Sequence, residues 1–337
     1  MTIRRVTIAC LLFALLAAFG CSSDGPAEQE GRFRVGMVFD VGGKGDKSFN
    51  DSAYRGMLLA ADEFGVEFTE FEPGQDADRE VGLRKLAQAG YDVIIGVGFL
   101  FSDSIKKVAA DYPEARFACV DYDVRPGEVL PQNLAGLRFR EEEGSFLVGV
   151  LAAMHTKTGR IGFIGGMDIP LIHKFEAGYV AGARHVNPAV SVTVAYAGTT
   201  PQAFADPAKG KELALLQYGR GVDVIYHASG STGNGVIEAA RETQKFAIGV
   251  DSNQNYMAPG HVLTSMVKRV DNAVYAIIKD SYEGTFEGGI TEFGLAEDGV
   301  GYAVDKHNDA LVTDEMVRSV EEARSAIIAG EIEVPRD

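Results

Sequence analysis

The sequence contains no tryptophan, only three cysteines and six histidines, and 32 basic residues against 48 acidic ones. Each shortage removes a class of function. A formal charge of -16 argues against a nucleic-acid partner, because phosphate binding needs a basic face and no lysine-arginine cluster is present. The cysteines form no disulfide framework and stand at no Cys/His metal spacing. Cys119 sits alone in the apolar run Phe117-Ala118-Cys119-Val120, as a small buried hydrophobe would. His155, His173, His185 and His261 are scattered, and no nucleophile-base pairing accompanies them. Neither an enzyme nor a cofactor or metal is expected.

What is present begins with a targeting segment. Arg4 and Arg5 precede an apolar stretch from Val6 to Phe19 that is too short to span a bilayer comfortably. Small residues Ala17, Ala18 and Gly20 then lead to Cys21. Residues 1–20 read as a signal peptide, and Leu15-Leu16-Ala17-Ala18-Phe19-Gly20-Cys21 resembles a bacterial lipobox, in which Cys21 becomes the lipidated first residue. Residues 21–31 are then the lipidated cysteine and a polar tether without periodicity. The expected location is the cell membrane, lipid-anchored, facing the periplasm or the cell exterior.

The remaining chain is organised around residues 33–58. A β-branched and aromatic run from Phe33 to Phe39 ends in Asp40, passes Gly42, Gly43 and Gly45, and enters a helical pattern that Ser48 is placed to cap. In open α/β sheets such a strand, glycine loop and helix start lie where ligands bind. Phosphate is disfavoured. Asp46 interrupts the Gly-Lys-Ser spacing of a Walker loop, no Gly-x-Gly-x-x-Gly opens the helix, and Asp40, Asp46 and Asp51 crowd the loop with negative charge. Carboxylates beside a phenyl ring and an amide (Asp40, Phe49, Asn50) suit a neutral ligand with hydroxyls and a flat ring.

At 337 residues the chain is too long for one ordinary core, and strands alternate with helices throughout, which predicts βαβ units on parallel sheets. The pattern starts again near Leu134, and Glu141 to His155 opens a helix with three acids, favourable at its positive end. Val35 matches Ile161 and Phe49 matches Phe175, both 126 residues apart, with Phe175 to His185 repeating the first helix. Ala-Gly-Tyr-Asp-Val-Ile-Ile around Asp92 matches Arg-Gly-Val-Asp-Val-Ile-Tyr around Asp223, and the strand ending at Asp121 matches the one ending at Asp251. Two similar doubly wound lobes follow, joined by several crossings that form a hinge. The expected division is 32–138 with about 264–290 for the first lobe, and 139–263 with about 291–337 for the second. Residues 290–303 read as irregular or strand structure.

Duplicated strand ends bring Asp40 and Asp121 towards a cleft from one lobe and Asp251 from the other, with Phe49, Phe99, Phe175 and Phe204 nearby. A carboxylate accepts two hydroxyl protons from a vicinal diol, and a flat heterocycle stacks between phenyl rings. Asp123, two residues beyond Asp121, is a second candidate for the same role. Gly230, in the loop His227 to Gly235, lets backbone N–H groups approach a ligand. Lys268 ends a strand near the hinge.

Val38-Phe39-Asp40-Val41-Gly42-Gly43-Lys44-Gly45-Asp46-Lys47-Ser48-Phe49-Asn50, the Gly165-Gly166-Met167 turn, Phe204-Ala205-Asp206-Pro207, Gly230 to Gly235, Val250-Asp251 and Ser265-Met266-Val267-Lys268 together resemble the basic membrane protein family of bacterial lipoproteins, of the purine nucleoside receptor type. The resemblance covers nearly the whole chain after the tether. It implies a type 1 periplasmic-binding-protein fold and a monomeric, substrate-binding component of an ATP-binding-cassette (ABC) importer for nucleosides, working with permease and ATPase subunits. By motif position Phe49 would stack on the base and Asn50 bond its edge, Phe175 would form a wall from the other lobe, and Asp121 and Asp251 would hold the ribose hydroxyls with Lys268 reaching the sugar or an adjacent ring atom. Asp40 and Gly230 would complete the pocket, and Phe204 stands where some members place a tryptophan. Two readings stay open beside transport of a nucleoside: a sensor or regulator using the same cleft, and a receptor for a sugar.

Overall fold

The computed structural model describes residues 32–337; Cys21 and the tether lie outside the described residues. The first half lays down β1 (Arg34–Val38), α1 (Phe49–Phe64), β2 (Glu67–Phe71), α2 (Asp76–Gln88), β3 (Val93–Val97), α3 (Ser102–Asp111), β4 (Arg116–Val120) and β5 (Leu134–Phe139). Then follow α4 (Glu141–His155), β6 (Arg160–Met167), α5 (Pro170–Val186), β7 (Ser191–Gly198), α6 (Pro207–Gly219), β8 (Val224–Ala228), α7 (Thr232–Thr243), β9 (Phe246–Asp251) and β10 (Val262–Lys268). The chain ends with α8 (Val270–Glu283), β11 (Gly289–Phe293), β12 (Val300–Tyr302) and α9 (Asp314–Ile328).

Two six-stranded sheets result, in the orders β2-β1-β3-β4-β5-β11 and β7-β6-β8-β9-β10-β12. Replacing each strand of the first by its counterpart turns one order into the other, so the duplication extends to topology. All neighbours are parallel except β10 and β12. Central strands such as Val-Ile-Ile-Gly-Val of β3 are buried on both faces and read as unbroken apolar runs, whereas the outer strand β2 keeps Glu67 and Thr69 exposed.

The sheet partners correct three expectations. Leu134–Phe139 does not restart the pattern: it is the fifth strand of the first sheet, its counterpart is β10, and the repeat begins at β6. The boundary expected near 264 falls inside β10, which is wholly buried beside β9 in the second sheet. The boundary near 291 falls inside β11, which pairs along its length with β5. The chain therefore crosses between lobes at Arg140, at Arg269 and between Phe293 and Val300. Helix α5 also starts at Pro170 rather than Phe175, with proline in its first turn where no N–H is missed.

Helix α4 is buried from Glu141 to Ala153 and is apolar all round after its first turn, as a helix packed on every side must be. It lies against α5, α9, β10 and β12, in the second lobe. α8 returns to the first lobe and packs on α1.

Candidate functional site

The carboxyl ends of both sheets face a narrow cavity of about 60 Å³. Asp40, Phe49, Asn50, Asp121, Phe175, Phe204, Gly230, Asp251 and Lys268, the nine residues expected from sequence, all line it. Val41, Asp46, Phe99, Leu171, Ile172, Ala228, Ser229 and Val250 complete the wall. Asp123 is exposed and lines a neighbouring hollow instead.

Lys268 is the centre of the site. Its side chain is 1% exposed, and the ammonium lies 2.7 Å from Asp121 and 3.0 Å from Glu141. Both Asp121 oxygens are at 2.7 Å, but the directed hydrogen bond goes to Oδ2, and Oδ1 is left without a donor. Three phenyl rings surround the same ammonium, with centroids 5.2 Å (Phe49), 4.9 Å (Phe139) and 5.6 Å (Phe175) away. Burial alone would lower the lysine's pKa, but Asp121, Glu141 and Asp251 outweigh it and raise it, so the ammonium stays charged. Burial pushes Glu141 up as well, yet Lys268 and Lys174 together hold it below its ordinary value. Asp121 is raised by burial despite Lys268.

Asp121 and Asp251 end equivalent strands, and both have left-handed backbones, at φ 58° and 62°. Outside glycine that conformation is uncommon, and aspartate tolerates it better than most residues. The bend turns each carboxylate into the cleft instead of along the sheet. Burial raises Asp251 to about 7 against the opposing pull of Lys268 and Ser48. Ser48 Oγ donates to Asp251 Oδ2 at 2.5 Å and approaches Val250 O at 3.2 Å. The expectation that Ser48 caps α1 is thereby corrected: its side chain makes no cap bond and reaches across to the other lobe.

The cap role falls to Asp46. Its Oδ1 accepts from the N–H groups of Ser48 and Asp51, and its Oδ2 from those of Asn50. Asp51 in turn accepts from the N–H groups of Gly45 and Lys47. Two of the loop's three acids therefore hold the loop itself, and Asp40 faces the cavity. Burial raises Asp40 to about 7, with Val41 N–H and the nearby Arg79 opposing. Asn50 is largely committed as well: its Oδ1 accepts from Asp40 N at 3.0 Å and its Nδ2 donates to Asp46 at 3.1 Å. It orients Asp40 and keeps one lone pair free.

Opposite, Phe204 packs on Gly166, where a Cβ would lie 2.2 Å from its ring, and meets Phe99 edge to face at 6.5 Å. Behind the cavity, Gln254 Oε1 accepts Val250 N–H and contacts His227, whose burial lowers its pKa to about 4 and keeps it neutral. Ser229 was missed as a wall residue although its loop was singled out. The acids of α4 were read as dipole partners, but Glu141 holds Lys268 and Lys174, Glu142 holds Arg336, and Glu143 holds Arg140.

A deep cleft between two matched parallel-sheet lobes, bridged by side chains from both, defines a two-lobed solute-binding protein of the type 1 periplasmic-binding fold. The chain belongs to the basic membrane protein family of ABC transporter substrate-binding proteins: residues 33–337 match the family described as ABC transporter substrate-binding protein PnrA-like. It is 33% identical to the ABC transporter nucleoside-binding protein BmpA of Lactococcus lactis, over 98% of this chain and 99% of that protein. Basic membrane protein A of Borreliella burgdorferi is 35% identical, over 96% and 94%. A lipoprotein of Pyrococcus abyssi is 36% identical, over 89% and 77%. A crystal structure of ABC transporter solute-binding proteins from Aeropyrum pernix superposes with a TM-score of 0.82 at 35% identity, covering 90% of this chain and 94% of that one. Among the described residues no helix is long and apolar enough to cross a membrane.

Proposed function

We propose that the chain is the nucleoside-binding component of an ABC importer, held at the membrane by a lipid on Cys21 and handing its ligand to a permease driven by ATPase subunits. The observation that carries this reading is the presence, in one cavity, of phenyl rings and carboxylates from opposite lobes. Phe49 and Phe175 stack on the base from the two sides. Asp40 accepts from the base edge, Phe204 and Phe99 close the far wall, and Gly230 admits the ligand close to the backbone. Asp121 Oδ1 and Asp251 Oδ1 accept no hydrogen bond among the described residues, so each offers one oxygen to a ribose hydroxyl. A diol bonded to both carboxylates is held fully only with the lobes together, which gives closure its driving force. Purine nucleosides are expected to bind most tightly, because two fused rings offer more stacking area than one.

The test is the melting temperature of a chain starting at residue 22, unfolded and refolded to remove carried ligand, with nucleosides, free bases and sugars. A ligand at a hundredfold excess over its Kd adds about 2.7 kcal/mol, a shift of a few degrees. A rise with nucleosides that disappears in Asp251→Ala supports the reading. A rise with a sugar alone replaces it with the sugar-receptor alternative.

A further inference from the structure

A second hollow of about 490 Å³ adjoins the first, and the nucleoside reading leaves it unused. Phe99, Asp121 and Leu171 line both, so the two compartments meet at the carboxylate assigned to the sugar. A ribose whose 2′ and 3′ hydroxyls are bonded to Asp121 and Asp251 has one position left for a substituent, the 5′ carbon. A group there passes between Phe99 and Leu171 into the second hollow.

The charges of that hollow define what fits. Most of its ions are already paired: Lys174 lies 3.0 Å from Glu141 and donates to Phe139 O, and Arg336 lies 2.7 Å from Glu142 and 3.6 Å from Glu292. Two are not. The guanidinium of Arg138, a half-buried residue of β5, makes no hydrogen bond or ion pair among the described residues. The carboxylate of Asp123 is likewise without a partner, its backbone N–H alone being bonded, to Ser102 Oγ. They do not pair with each other, and Asp337 adds a further carboxylate to the same wall. A guanidinium has five donors and no acceptor, so one left unpaired and partly desolvated calls for an anion. A phosphate answers Arg138 but is repelled by Asp123 and Asp337. An uncharged arm answers neither.

Resting on the nucleoside assignment above, we propose that the cleft accepts nucleosides whose 5′ carbon carries a zwitterionic α-amino-acid arm, the arm's carboxylate received by Arg138 and its ammonium by Asp123.

Calorimetry would compare three ligands of one base for the refolded chain: the nucleoside, its 5′-monophosphate and its 5′-homocysteine thioether, in the adenine and the hypoxanthine series. The thioether is expected to bind about tenfold tighter than the parent nucleoside. Arg138→Gln should erase that advantage while leaving nucleoside affinity and melting temperature unchanged, and Asp123→Asn should weaken the thioether alone. Thioether binding no tighter than the nucleoside, or unaltered by Arg138→Gln, overturns the proposal. So does a monophosphate that binds as tightly as the thioether. Failure of all three ligands in both series rejects the nucleoside reading itself, which separates the two failures.

Discussion

One lysine decides the electrostatics of the cleft. With Lys268 charged, Asp121 and Glu141 are tolerable in a buried site; without it Asp121 loses its cation and Glu141 keeps only Lys174. Lys268→Met should cost about 3–5 kcal/mol in urea unfolding at neutral pH, the price of breaking a buried ion pair, and part of that loss should return at acid pH as the acids protonate. A loss below about 1 kcal/mol would show that the network is solvated and relaxed. Asp40 and Asp251 set a second pH dependence. Both are pushed to about 7 by burial, against an ordinary value of about 4, so between those limits the folded chain holds more protons than the unfolded one. Their neutral forms leave stability intact below pH 4, and it is lost progressively as pH rises to 7. The melting temperature of the ligand-free chain should accordingly fall from pH 5 to pH 7.5. Asp251→Asn, which keeps a side chain suited to the left-handed backbone, should remove about half of that slope; an unchanged slope would place the titration elsewhere. The acids, phenyl rings and Lys268 were legible in sequence because they sit at strand ends and loop starts, where local pattern and duplication both point. Ser48 and Glu141 were not, because their partners lie 203 and 127 residues away along the chain.

Among elements, the pair α4 and α5 joins packing to function. A Cβ at Gly178 would fall 2.1 Å from Glu142 O, one at Gly182 2.0 Å from Phe146 O, and one at Gly149 2.2 Å from Tyr179 O. The two helices therefore touch backbone to backbone, and α4 carries Glu141 to Lys268 while α5 carries Phe175 to the cavity. Gly178→Ala should force them apart at a cost of about 1–3 kcal/mol and weaken ligand binding with it. Gly219→Ala, with nothing within 4 Å of its new methyl, should be neutral or slightly stabilising, and denaturant titration of the two variants checks the contrast. Equal stabilities would mean that the helices adjust freely. Element type was readable almost everywhere, since buried parallel strands and amphipathic helices have different periods. Sheet membership after residue 260 was not: β10, β11 and β12 differ little in local pattern, and only their hydrogen-bond partners assign them to one lobe or the other.

At the scale of the molecule, the glycine loop is also a latch. Three successive carbonyls, of Asp46, Lys47 and Ser48, accept from Asn234 Nδ2 (3.3 Å), Gln254 Nε2 (3.1 Å) and Ser252 Oγ (2.7 Å), all in the second lobe. Lys47 bends the chain through φ 60° between them. These bonds cross the cleft, so they exist only while the lobes are together, and they favour the closed form whether or not a ligand is inside. The balance matters: a latch too strong would close the empty site, and one too weak would let the ligand escape. Each bond is worth about 0.5–1.5 kcal/mol. Removing one should lower the binding-competent fraction and raise the apparent Kd by the same factor, about threefold to tenfold, chiefly through faster release. Asn234→Ala is the cleanest probe, since the side chain's other polar atom, Oδ1, has no partner to lose. Small-angle scattering should still record ligand-induced compaction in this variant, at correspondingly higher ligand concentration, with the unliganded melting temperature little changed. If affinity and release rate both match the wild type, closure is driven by the ligand's own contacts and the loop carbonyls merely follow.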